Sequence, residues 1–225
     1  MTQTPATAPT DRREALKLGN RRAIVSAAAE LADARGLDGF TVNDLAERAG
    51  LSRRTIFNHF ATVDDAVYAS FADRISGLYE DVERDLGQRR FATLAEAFEA
   101  FAEAVRRVDV IATVRSGLAP LGLTVFEPTT PASAVPDRSE VWAMRITDGV
   151  VRECATSLQD RLDDADPLQV RLLVDLLVAT VKACVEQWFA ATDGELSPQG
   201  LQEWDRLLDT ALTRLRDGFG DRAPA

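Results

Sequence analysis

The sequence predicts an all-α protein with a small helix-turn-helix module at its N-terminus and a larger helical domain behind it. Three observations predict this. Apolar residues recur at three- and four-residue spacing along nearly the whole chain, whereas the period-two alternation of strands is almost absent. Capping residues stand ahead of most of these amphipathic runs. Ala46, Gly50 and Ile56, at i, i+4 and i+10, mark two short helices that approach closely across a tight turn.

The elements follow in order. The opening "MTQTPATAPT" has no signal-peptide core, and residues 1–19 are expected to form a disordered arm. From Asn20, the stripe Ile24, Ala27, Ala28, Leu31 and Ala32 predicts a first helix ending at Gly36. Thr41 can N-cap a second helix, with Asp44 at its N3 position and Gly50 at its end. Ser52 can cap a third that reaches Phe60. Residues 20–62 thus form the first domain and 63–220 the second.

Thr62, with Asp65 at N3, opens a fourth helix of about six turns carrying Val67, Phe71, Ile75, Leu78, Val82 and Leu86 on one face. Phe91, Leu94, Phe98, Phe101, Val105 and Val108 define the next, and a short helical piece spans roughly Asp109 to Gly117. Pro120, Pro128, Pro131 and Pro136 then mark a long loop. Helix resumes near Asp137. Asp166–Pro167 and Ser197–Pro198 are paired N-cap and N1 signals for two final helices. The first of these is apolar nearly all round. The second spaces Leu201, Trp204, Leu208, Ala211 and Leu215 in a 3-4-3-4 seam. Together they predict a dimerisation bundle, with Leu176, Leu201, Trp204, Leu208 and Leu215 at the interface.

Charge separates the two domains. The 225 residues carry a net −10, but Asp11–Thr62 holds nine Lys and Arg against seven Asp and Glu, a net of +2. A near-neutral head therefore sits on an acidic body. Cys154 and Cys184 lack metal-ligand spacing and read as buried, reduced thiols. No apolar run approaches the ~20 residues a membrane helix needs, so a cytoplasmic protein with no membrane partner is expected.

The stretch "AGLSRRTIFNHF" (residues 49–60) contains His59, the sole histidine. With Ile56 and Phe60 turned into the core beside Leu45 and Leu51, helical phasing leaves Arg53, Arg54, Thr55, Asn58 and His59 outside. Arginine forks suit guanine O6 and N7, asparagine suits adenine, and the threonine methyl suits that of thymine. Ser52 and Thr41 stand at helix starts, where hydroxyls and free amides meet phosphate oxygens. This is the composition of a recognition helix for a major groove of double-stranded DNA.

Residues 20–66 resemble the DNA-binding domain of the tetracycline-repressor (TetR) family. The likeness lies in the alanine-rich first helix ending at Gly36, in "FTVNDLAERAGLS", and in the closing "FNHF". It implies an all-α fold: a three-helix DNA-binding domain plus a larger C-terminal ligand-binding and dimerisation domain. It further implies a homodimer on a near-palindromic operator, most simply a repressor released by a small apolar or amphipathic effector. By position, Arg53, Arg54, Thr55 and Asn58 match base-reading sites, and Thr41, Ser52, Phe57 and His59 match backbone contacts. Two departures stand out: Phe57 replaces the family's usual tyrosine, and Val63 replaces its usual lysine. Arg12, Arg13, Lys17, Arg21 and Arg22 could compensate for the lost contacts.

Phe98, Phe101, Phe126 and Trp142, with Arg145 as an anion anchor, are the candidate effector pocket. No phosphate loop, nucleophile elbow, zinc pattern or calcium loop is present, so no catalytic residue, metal or cofactor is expected. The competing reading is a helical protein-interaction module that does not bind DNA.

Overall fold

The computed structural model describes residues 9–118 and 138–218; the proline loop and Phe126 lie outside these. Regular structure among the described residues is helical throughout. It comprises α1 (Pro9–Arg35), a 3-10 turn (Leu37–Gly39), α2 (Val42–Ala49), α3 (Arg53–His59), α4 (Val63–Leu86) and α5 (Leu94–Arg107). Then follow α6 (Val110–Leu118), α7 (Arg138–Arg161), α8 (Pro167–Thr192) and α9 (Pro198–Asp217). The one pairing of extended residues is an isolated bridge between Phe91 and Leu162.

The described residues form two units, the first running to Asp73 and the second from Arg74 onward apart from the end of α6. The division falls inside α4, not ahead of it as the sequence suggested. The reason is packing: Ala66, Val67 and Ala69, in the first turns of α4, are buried with Ile24, Ala28, Leu31, Leu45 and Ile56 in one core. Helix α1 packs on α2 and α3 along its C-terminal half.

A second difference concerns the start of α1. The expected irregular arm to residue 19 is helical from Pro9 onward. Its residues Arg12 to Gly19 are exposed, so no burial signal announces them. "EALKL" consists of strong helix formers, and propensity extends a helix already nucleated on the core.

In the second unit α8 packs between α7 and α9, and α5 contacts both α8 and α9. Trp188 is fully buried; its indole N–H donates to the carbonyl of Gly200 at 2.7 Å, and its ring meets Phe189 edge-on at 5.1 Å. A Cβ on Gly200 would lie 2.3 Å from the Glu195 carbonyl oxygen, so this turn into α9 admits only glycine. The α9 seam is spent within the chain: Trp204 and Leu208 are buried, together with Leu212. Both Trp204 and Leu208, expected at a dimer interface, are covered within the single chain. Spacing shows that a helix is covered, but not whose helix covers it. Leu215 is half-buried, whereas Leu176 and Leu201 are exposed.

Candidate nucleic-acid interface

The turn between α2 and α3 is built from local hydrogen bonds. The Thr41 hydroxyl accepts from the amides of Asn43 and Asp44 at 3.2 and 3.4 Å, and donates to Asp44 Oδ2 at 2.5 Å. Asp44 in return accepts from the Thr41 amide at 2.8 Å, completing a capping box. Gly50 ends α2 at φ 65°, ψ 30°, a left-handed conformation that glycine adopts without strain. The amides of Gly50 and Leu51 then donate to the Glu47 and Ala46 carbonyls, at 3.1 and 2.9 Å, and so close the turn.

This network makes a prediction. Thr41→Ala should cost the first unit about 1 kcal/mol, read by chemical denaturation. Hydrogen bonds from the Thr41 side chain and backbone, then the Arg35 guanidinium, hold the Asp44 carboxyl below its usual value of 3.8. Its contribution is therefore complete above that value and is lost as the pH falls through the lower folded value. The Thr41→Ala variant should show a weaker decline over that acid window than the wild type.

On α3, Ile56 is fully buried and Phe60 nearly so. Arg53, Arg54, Phe57 and Asn58 are exposed, and Thr55 and His59 are half-buried. The phasing read from the sequence is the phasing observed. The Ser52 hydroxyl caps α3 by accepting from the Thr55 amide at 3.1 Å, and the two hydroxyls lie 2.8 Å apart. One of them donates to the other, so one hydroxyl proton of the pair stays available to an outside acceptor. The Thr41 hydroxyl proton, by contrast, is held by Asp44, which leaves that side chain no proton for a phosphate.

The cations around the turn divide into two groups. Arg35 pairs with Asp44 at 3.3 Å, and Arg48 pairs with Glu30. Arg53 and Arg54 have no carboxylate partner among the described residues. Two adjacent guanidinium groups thus project from a helix anchored by its buried face. Arg21 of α1 stacks over Phe60 at the end of α3, 4.7 Å from the ring centroid. This contact was not legible in the sequence, because nothing in the spacing of residues 21 and 60 brings them together.

The expected effector-pocket residues differ in exposure. Phe98 and Phe101 are buried on α5, Trp142 is half-buried, and Arg145 is exposed. None of them lines the groove of about 710 Å³ that lies in the second unit beside Tyr79, Glu83, Arg152, Ser157 and Arg161. Its floor is polar. Arg161 pairs with Glu83 at 2.7 Å, and Ser157 stands within 2.9 Å of both Glu83 carboxylate oxygens. Next to it burial, and then the Glu83 carboxylate, push the Cys154 thiol up to about 12, so it stays protonated and unreactive. Among the described residues no cluster of His, Cys, Asp and Glu could hold a metal, and no helix is long and apolar enough to cross a membrane.

Known proteins resemble this chain in sequence and fold. Residues 24–65 match the profile of a family described as "Bacterial regulatory proteins, tetR family". No curated protein matches the sequence. Among solved structures, a transcriptional regulator from Rhodococcus sp. RHA1 is 18% identical; the match covers 91% of this chain and 99% of that one, with a TM-score of 0.51. A tetR-family regulator from Mesorhizobium loti MAFF303099 is 17% identical over 88% of this chain and 96% of its own, with a TM-score of 0.53. The tetR-family repressor AlkX of Dietzia sp. strain DQ12-45-1b, implicated in n-alkane biodegradation, is 15% identical over 88% and 95%, with a TM-score of 0.51. Residues 24–65 thus match the tetR-family profile in sequence, and the chain resembles tetR-family regulators in fold.

Proposed function

We propose that the protein is a DNA-binding transcriptional regulator that reads its operator with α3. A tetR-family module on this fold implies transcription regulation through DNA. The observation that carries the residue assignment is the exposed pair Arg53 and Arg54, without carboxylate partners among the described residues, on a helix whose opposite face is buried. In this reading Arg53, Arg54, Thr55 and Asn58 address base edges. His59 and the Ser52–Thr55 hydroxyl pair address phosphate oxygens, and Phe57 packs against the sugar-phosphate backbone. The test is an electrophoretic shift of the DNA upstream of the protein's own gene across a salt series. Binding should weaken linearly in log–log form as salt rises. A protein-interaction module would give no shift at any salt.

The regulator acts as a homodimer in this proposal, and α8 supplies the support. Leu168, Leu172 and Leu176, at i, i+4 and i+8, are 63, 51 and 50% exposed and form one stripe about 12 Å long. Leu201 at the start of α9 is 47% exposed. A second copy laid against this stripe would remove the leucines from water. Leu172→Glu with Leu176→Glu should convert the protein to a folded monomer in sedimentation; an unchanged dimer would rule this face out. Repression of a near-palindromic operator, relieved by a small apolar or amphipathic effector, completes the proposal and rests on the family likeness alone. Effectors are to be sought as compounds that abolish the electrophoretic shift.

A further inference from the structure

The N-terminal turns of α1 carry the basic residues that the sequence offered as substitutes for the lost contacts, and three of them form one stripe. Arg21, Lys17 and Arg13 precede the fully buried Ile24 by three, seven and eleven residues. Those intervals place all three on the helix face that farther along is buried against α2 and α3. There the face holds Ile24, Ala27, Ala28 and Leu31. Where α1 overruns the module, the same face turns cationic and is exposed. The stack of Arg21 on Phe60 fixes its direction, because Phe60 is the residue that ends α3. Arg13 and Lys17 extend that direction by two further turns, about 12 Å from Arg13 to Arg21. Neither has a carboxylate partner among the described residues, although Glu14, seven residues before Arg21, borders the stripe on the Arg21 side.

We infer that Arg13 and Lys17 form a second DNA-contacting element, one that lies along the phosphate backbone next to the segment read by α3. This rests on the proposed DNA-binding function. Charge complementarity selects the partner: each DNA strand presents one phosphate per 3.4 Å of axis, so a stripe of this length meets several. The contact carries no sequence information, since flexible cations on phosphates position a protein without reading bases. It also replaces what α4 lacks, a cation at Val63.

The test compares wild type with an Arg13→Ala, Lys17→Ala double variant on the upstream DNA and on a scrambled duplex, each across a potassium chloride series. Two lost phosphate contacts should make the slope of log K against log salt shallower by about 1.8 on both duplexes. The ratio of the two affinities should not change. An Arg13→Lys, Lys17→Arg variant should restore the wild-type slope. Both positions are exposed, so thermal midpoints should coincide and loss of folding cannot imitate the effect. An unchanged slope in the double variant would overturn the inference while leaving α3 readout intact. A wild type that binds neither duplex would overturn the functional reading itself, and this one with it.

Discussion

An Arg53→Ala, Arg54→Ala double variant is expected to lose at least about 30-fold in its preference for operator over unrelated DNA. Each bidentate arginine–guanine contact contributes about 1–3 kcal/mol of discrimination, so two contribute about 2–6 kcal/mol. The upper end of that range would erase most of the specificity that such regulators show. Neither guanidinium is bonded to a carboxylate among the described residues, and both side chains are exposed, so their removal should leave the fold unaltered. The effect should therefore appear as lost discrimination with an unchanged thermal midpoint. Lysine at both positions keeps the charge but not the planar fork. That variant should retain non-specific binding and the salt slope while losing preference. His59→Ala, in contrast, should weaken binding to all sequences alike. Competition with scrambled duplex separates these outcomes, and full discrimination in the alanine variant would remove the base-reading role.

Trp188→Ala should destabilise the second unit by about 3–5 kcal/mol, the usual cost of emptying a fully buried aromatic site. Two effects act together. The cavity forms where α8 meets α9, and the Gly200 carbonyl loses its indole donor, 2.7 Å away. Relaxation cannot easily close the gap, because Gly200 is already held against the Glu195 carbonyl. Trp188→Phe should be milder, since the ring contact with Phe189 survives while the hydrogen bond does not. Chemical denaturation followed through Trp142 and Trp204 fluorescence measures both. A loss below about 1 kcal/mol for the alanine variant would contradict this view of the α8–α9 core.

The recognition turn was legible in the sequence because its determinants are local. Thr41 with Asp44, Gly50, and Ser52 each act within four residues, and the observed caps are the ones their order implies. The α4 start is similar: Thr62 and Asp65 exchange hydrogen bonds of 3.0 and 3.2 Å. The paired caps Asp166–Pro167 and Ser197–Pro198 open α8 and α9 where expected. What stayed hidden is what packing decides. The Glu83–Arg161 pair joins residues 78 apart in sequence and leaves no periodic trace. Phe91 fits the apolar phase of α5, yet it lies ahead of the helix and bridges to Leu162. The α9 seam showed that Trp204 and Leu208 are covered without showing that α8 of the same chain does the covering. At the other end, α1 runs past its core on propensity alone, which a search for buried faces cannot detect.

If α3 lies in a major groove with its arginines on guanines, methylation of guanine N7 should interfere with binding. Methyl groups at N7 block the acceptor that an arginine fork needs. A few guanines in each half of the upstream site should interfere, with half-site centres one helical turn of about 10–10.5 base pairs, or a multiple, apart. Arg53→Ala or Arg54→Ala should each abolish interference at one guanine per half-site and leave the others. Binding that is indifferent to N7 methylation everywhere would contradict the account.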